Sequence, residues 1–158
     1  MTSVFIYSKA INKTLRVITH IYFTIPSLDL EIHPGQFFNG THHKLGTFKR
    51  ESVKIGEKKL CDICLQKLLQ ISLDLTSAWY YPIINCESLT RGLIYTNPIS
   101  LQTIFLTIIL TFFIIGILTP IYFFCSLFFT ISLIVHNNIN IFYSVDMCLH
   151  LKQKQVTS

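Results

Sequence analysis

Hydrophobic and polar positions alternate differently in successive parts of this chain. Over residues 3–26, Ile11, Leu15, Ile18 and Tyr22 fall at helical spacing while Lys9, Lys13 and Arg16 fall mainly elsewhere, the pattern of an amphipathic helix. The stretch "VITHIYFTI" within it is rich in β-branched and aromatic residues and fits a strand equally well. Pro26 ends either element. Residues 27–48 read as loop, because Pro34, Gly35, Gly40 and Gly46 interrupt them and Asn39-Gly40 is a turn signal. From Lys59 to Leu75 the period becomes helical. Cys61, Cys64, Leu65, Leu68 and Ile71 or Ser72 form one stripe that Leu75 continues, with Asp62, Gln66 and Gln70 off it. An amphipathic helix is expected over about 59–75.

The pattern then stops alternating. From Ile99 to Val135 there are 37 residues without a charge. As one straight helix they would reach about 55 Å, against a hydrocarbon layer of about 30 Å. Two crossings fit this length better than one: Leu101–Leu118, then about 121–138, with Thr119-Pro120 at the turn just past Gly116. A Pro-kinked hairpin of this kind resembles, in shape alone, the insertion mode of caveolins and oleosins. The alternative is one span near Phe105–Phe124 with Phe128 to Val135 along the interface. A soluble domain of this size could hardly cover so long an apolar run. Basic residues flank the run on both sides, Arg91 before and Lys152 and Lys154 after, which suits a hairpin with both ends cytoplasmic.

Composition sharpens this reading and adds a rival to it. Charged residues make up 13% of the chain where a soluble domain carries about 25%. Mean hydropathy is +0.51. The chain holds 24 Ile, 20 Leu and 13 Phe but 2 Ala and 3 Arg, the usage that a T-rich reading frame produces without any selection for lipid. A poorly constrained frame is therefore the bland explanation of the apolar tract.

The net charge of +5 allows contact with anionic surfaces. The basic run from His42 to Lys59 reads first as a solvated loop or helix face. Its second reading is contact with anionic headgroups through Lys44, Lys49, Arg50, Lys54, Lys58 and Lys59. Trp79, Tyr80 and Tyr81 suit either an interfacial belt or a core. The run carries few aromatics for base stacking, and nucleic acid is not an expected partner.

Candidate chemistry is sparse. Five cysteines, at 61, 64, 86, 125 and 148, do not form the even framework of a secreted disulfide domain. No secretory signal is expected, since Lys9, Lys13 and Arg16 fall where its apolar core would lie. Cys61-x-x-Cys64 could supply two thiolates to a metal, with His42 and His43 as the other candidates. The five residues "CDICL" resemble the opening of a RING finger, which implies zinc binding and protein interaction. A RING continues with closely spaced Cys and His pairs, whereas here only Cys86 follows before the apolar run. Asn12 and Asn39 lie in glycosylation sequons. There is no nucleophile elbow, phosphate loop, dinucleotide fingerprint or HExxH, so neither catalytic residues nor a cofactor are expected.

These readings converge on an all-α integral membrane protein without enzymatic activity. It has one or two C-terminal transmembrane helices, the hairpin being favoured, behind a poorly defined N-terminal segment with one amphipathic helix. The expected divisions are 1–98, a membrane segment 99–138 and a tail 139–158, with the bilayer as partner. The alternative function is a membrane-tethered zinc-binding interaction module built on "CDIC".

Overall fold

A computed structural model describes residues 1–10, 18–34, 42–47, 52–74, 85–95, 98–139 and 144–156. It overturns the all-α expectation. The front half forms β1 (Thr2–Ala10), β2 (Thr19–Ile25), β3 (Leu30–Ile32), β4 (His42–Lys44) and β5 (Ser52–Leu60), and β6 (Ser144–Met147) joins from the C-terminal end. The six strands lie in the order β4-β3-β2-β1-β5-β6. All neighbours are antiparallel except β5 and β6, which are parallel.

The sheet wins over the helix because both faces of its central strands find partners. On one face Val4, Ile6, Phe23, Ile25, Ile32 and Leu60 gather with Leu68, Ile94 and Cys148 into the hydrophobic core. Each large side chain so buried contributes about 1.5–3 kcal/mol. Helices α1 (Asp62–Asp74) and α2 (Cys86–Tyr95) cover this face, supplying Leu68 and Ile94. α1 lies within the segment whose periodicity is helical. The other face is polar and aromatic. Tyr7 sits opposite Tyr22 in register and the two rings stack at 5.5 Å. Beside them Glu31 and His33 are fully buried, and His20 is 4% exposed. His33 Nε2 donates to Glu31 Oε1 at 2.7 Å, and His20 Nε2 donates to His33 Nδ1 at 2.7 Å. A carboxylate only accepts, which fixes the direction of that chain of bonds.

Residues 27–48, read as loop, contain β3 and β4 after a 3-10 turn over Pro26–Leu28 that closes on Asp29 in the left-handed region, φ 52°. The basic run holds β4 and β5. Their lysines partly serve the fold: Lys54 lies 3.5 Å above the Phe5 ring, and Lys58 bonds the Ile94 carbonyl and pairs with Asp146. Lys49, Arg50, both sequon asparagines and Trp79 to Tyr81 lie outside the described residues.

The apolar run forms α3 (Leu101–Leu118) and α4 (Tyr122–Ile139), packed side by side. Phe112 stacks on Tyr122 and Phe129, and Ser126 Oγ donates to the Ile109 carbonyl of the opposite helix. Outward, Leu118 is 86% and Phe124 73% exposed. Only α3, among the described residues, is long and apolar enough to cross a membrane; the apolar part of α4, Tyr122–Asn137, is shorter. The description as an integral, transmembrane protein drawn from composition is corrected accordingly: this is a mixed α/β fold carrying one such helix.

The hairpin leaves the body through a polar joint. Asn85 accepts from the N–H groups of Glu87 and Ser88, capping α2. The buried Glu87 carboxylate accepts from Ser100 Oγ at 2.8 Å and from the N–H groups of Leu101 and Gln102, at the positive end of the α3 dipole. Gln102 in turn exchanges hydrogen bonds with Thr19 of β2. A last helix, α5 (Leu149–Val156), follows β6.

Candidate metal centre

β5 ends at Leu60 and α1 begins at Asp62, so Cys61 stands at the junction and Cys64 lies in the first turn. The Leu65 N–H bonds the Cys61 carbonyl at 2.9 Å, starting the helix. The parallel strand β6 brings a second strand-to-helix junction alongside, with Cys148 between Met147 and Leu149. The Cys148 N–H bonds the Lys59 carbonyl at 3.0 Å, and its own carbonyl accepts from Leu151 and Lys152. Two analogous junctions thus sit side by side, each presenting a cysteine ahead of a helix.

The consequence is a cluster. The sulfurs of Cys61, Cys64 and Cys148 lie within 4.8 Å of one another. His150 in α5 brings Nδ1 to 3.6 Å from the Cys61 sulfur and 3.4 Å from that of Cys64. Burial, with the neighbouring Cys61 and Cys148 thiols, pushes the Cys64 thiol up to about 11. Burial also opposes ionisation of Cys148. There the Cys61 and Leu151 N–H groups and the Cys61 and Cys64 thiols outweigh it and set that thiol below its ordinary value. Asp146 holds the junction from outside: Lys152 donates to it at 2.7 Å, Lys58 stands 3.6 Å away, and the Met147 N–H bonds it. The Lys152 bond leads the causes that keep its carboxyl below the usual range, with the Met147 N–H and Lys58 adding to it.

Three thiols from two distant segments, unlinked by any disulfide, are a donor set for a thiophilic metal ion. The structure brings together Cys61 and Cys64 as the sequence suggests, but not with His42 or His43. Those histidines lie in β4, at the opposite edge of the sheet from β6 and four strands from β5, about 19 Å at the usual spacing. His42 bonds Ser72, and His43 packs edge-on against His33. Sequence reasoning missed Cys148 and His150. The signal was the spacing Cys-x-His in a polar tail, with no local partner to give it meaning. Cys86 and Cys125 stay outside the cluster; burial pushes the Cys86 thiol up to about 11.

Residues 1–151 match the family described as Ac81: Baculoviridae AC81. No curated protein and no solved structure matches the chain. The match covers nearly the whole sequence, and the chain belongs to that family. An accidental reading frame would not match a family in this way, so that explanation of the apolar tract is set aside.

Proposed function

We propose that this member of the Baculoviridae AC81 family is a non-enzymatic, metal-stapled α/β module that associates with membranes through α3. One observation carries the metal reading: three thiols contributed by two strand-to-helix junctions converge within 4.8 Å. A small domain with a short, parallel terminal strand gains most from an ion at that point, since metal binding energy becomes folding energy. A structural rather than catalytic role agrees with the engagement of the carboxylates: Glu31 serves His33, Glu57 serves Ser3 and Lys54, and Glu87 serves the root of α3.

The test is metal analysis of the full chain, purified in detergent from metal-supplemented expression. One ion per chain is expected in the wild type, and loss of that ion in Cys148→Ser but not in Cys125→Ser. A wild-type chain that takes up neither zinc nor cobalt overturns the metal reading.

A second observation supports the lipid reading. α3 presents 18 uncharged residues with little of its surface buried, and the hairpin is locked at its base to a folded body. Eighteen helical residues span about 27 Å, close to the hydrocarbon thickness. Two of its three threonines, Thr107 and Thr111, bond carbonyls one turn back and so carry no unsatisfied hydroxyl into an apolar medium. Among the described lysines of the basic run, Lys44 is open to headgroups, with an 81% exposed side chain.

A further inference from the structure

We infer that His150 is the fourth ligand of this centre and that the ion is zinc, held through Nδ1 in a closed Cys3His set. The inference rests on the metal reading above and goes beyond it by naming the ion class, the missing ligand and the coordinating atom.

With Zn–S near 2.3 Å and Zn–N near 2.0–2.1 Å, a tetrahedral angle places a sulfur and a nitrogen about 3.6 Å apart. His150 Nδ1 stands 3.6 Å from one sulfur and 3.4 Å from the other. A hydrogen bond from an imidazole to a thiol would explain one such contact. One ring nitrogen at this distance from two sulfurs at once matches two edges of a coordination tetrahedron. Cys148, whose sulfur lies within 4.8 Å of those two, is assigned the remaining corner. The ligand pairs are Cys61-x-x-Cys64 and Cys148-x-His150, each straddling the start of a helix.

The donor set selects the ion. Three thiolates and one imidazole suit zinc, and magnesium or calcium would take oxygen ligands instead. Three thiolates around a divalent ion leave one net negative charge. Lys58, Lys67, Lys152 and Asp146 line the cavity that Cys64, Cys148 and His150 share. Asp146 pairs with Lys58 and Lys152, and the positive charge left over offsets that of the centre. Four protein ligands leave no open position for water or substrate, which makes the centre structural. The ion then ties the β5–α1 junction to the β6–α5 junction, closing a loop that contains α1, α2 and the whole hairpin.

The experiment uses the full chain in detergent, loaded with zinc for X-ray absorption and with cobalt for titration, as wild type, His150→Ala and His150→Cys. The wild type is expected to show three sulfurs and one nitrogen around zinc. His150→Ala should weaken cobalt binding by more than about 100-fold, the upper range of what outer-shell partners contribute. His150→Cys should restore the affinity with four sulfurs. A wild type that binds zinc through sulfur alone, or a His150→Ala chain with unchanged affinity, overturns the assignment of His150 and leaves the thiol site standing. A wild type that binds no metal overturns both. The side chain is exposed, so folding of the variants is checked directly by far-ultraviolet circular dichroism.

Discussion

The Cys64 sulfur and the His150 Nδ1 stand 3.4 Å apart although 86 positions separate them in sequence. Nothing local joins them. They meet because β6 pairs with β5 in parallel, over four residue pairs from Gly56↔Ser144 to Lys59↔Met147. Parallel pairing is the weaker kind per residue, and four pairs are few. An ion at the end of this ladder is therefore expected to hold it in place. Removing it with a strong chelator should lower the stability of the whole chain by about 2.7 kcal/mol relative to a hundredfold excess of metal over its dissociation constant. Amide exchange should rise first in Ser144–Met147. Equal protection of β6 with and without metal would show that the ion does not hold the strand.

The buried chain from Glu31 through His33 to His20 predicts a pH dependence. Burial, aided by charge at His33 and Lys9, lowers His20 from 6.5 to about 3. Burial, with His43 and Lys9, lowers His33 to about 3. Above pH 6.5 both imidazoles are neutral in either state and the contribution to stability is complete. As pH falls from 6.5 towards 3 the unfolded chain takes up protons that the folded chain refuses, and stability declines. The slope is at most about 1.4 kcal/mol per pH unit for each histidine. Urea denaturation between pH 7.5 and 4.5 should show this decline, and His20→Gln with His33→Gln should flatten it. An unchanged slope in the double variant would remove these residues as its cause.

Glu87 is the carboxylate on which α3 is seated. Glu87→Ala leaves Ser100 Oγ and the Gln102 N–H, both buried, without their acceptor. A loss of about 1–3 kcal/mol is expected. Ser100→Ala, which removes the N-cap that accepts from the Thr103 N–H, should cost about 0.5–2 kcal/mol. The two residues share one hydrogen bond, so the double variant should cost less than the singles together. Full additivity would mean that the joint is not a connected network.

Gly116 fixes how closely α4 approaches α3. A Cβ placed there meets the Phe123 ring at 2.9 Å. Gly116→Val should therefore cost about 1–3 kcal/mol by overpacking. Adding Phe123→Ala should recover part of this loss, measured as the melting temperature in detergent. A double variant no better than Gly116→Val would place the cost elsewhere.

The sequence made the long helices legible and hid the sheet with the short helices α2 and α5, for identifiable reasons. α1 and α3 are continuous stretches with one periodicity each, and they lie where the 59–75 stripe and the 101–118 apolar run put them. β3 and β4 are three residues each, too short for any alternation to register. β5 has the length, but its register against β1 shifts between Ile6 and Tyr7. Val53 and Ile55 fall on odd positions and Leu60 on an even one, so a period of two cannot be read through it. The polar face conceals itself further, since Tyr22, His20 and Glu31 are buried without being apolar. Of the metal centre, the Cys61–Cys64 half was visible as spacing. The Cys148–His150 half depends on a strand pairing that only the folded chain makes.

The hairpin gives the last expectation. Leu110 lies near the middle of α3 and is 59% exposed, so a change there should leave the α/β body intact. If α3 rests in hydrocarbon, Leu110→Lys puts a charge near its midpoint at a cost of about 2.5–3.5 kcal/mol. The share of chain that floats with liposomes should fall by roughly a hundredfold in partition. Leu110→Phe, which keeps the position apolar, should float as the wild type does. Leu28→Lys, on the turn before β3 and 47% exposed, changes charge equally but lies on the body and should leave flotation unchanged. Flotation insensitive to Leu110→Lys would show that the exposed face of α3 is covered by something other than lipid. A second copy of the chain would then be the first alternative, with the mass of the detergent-free particle to decide it.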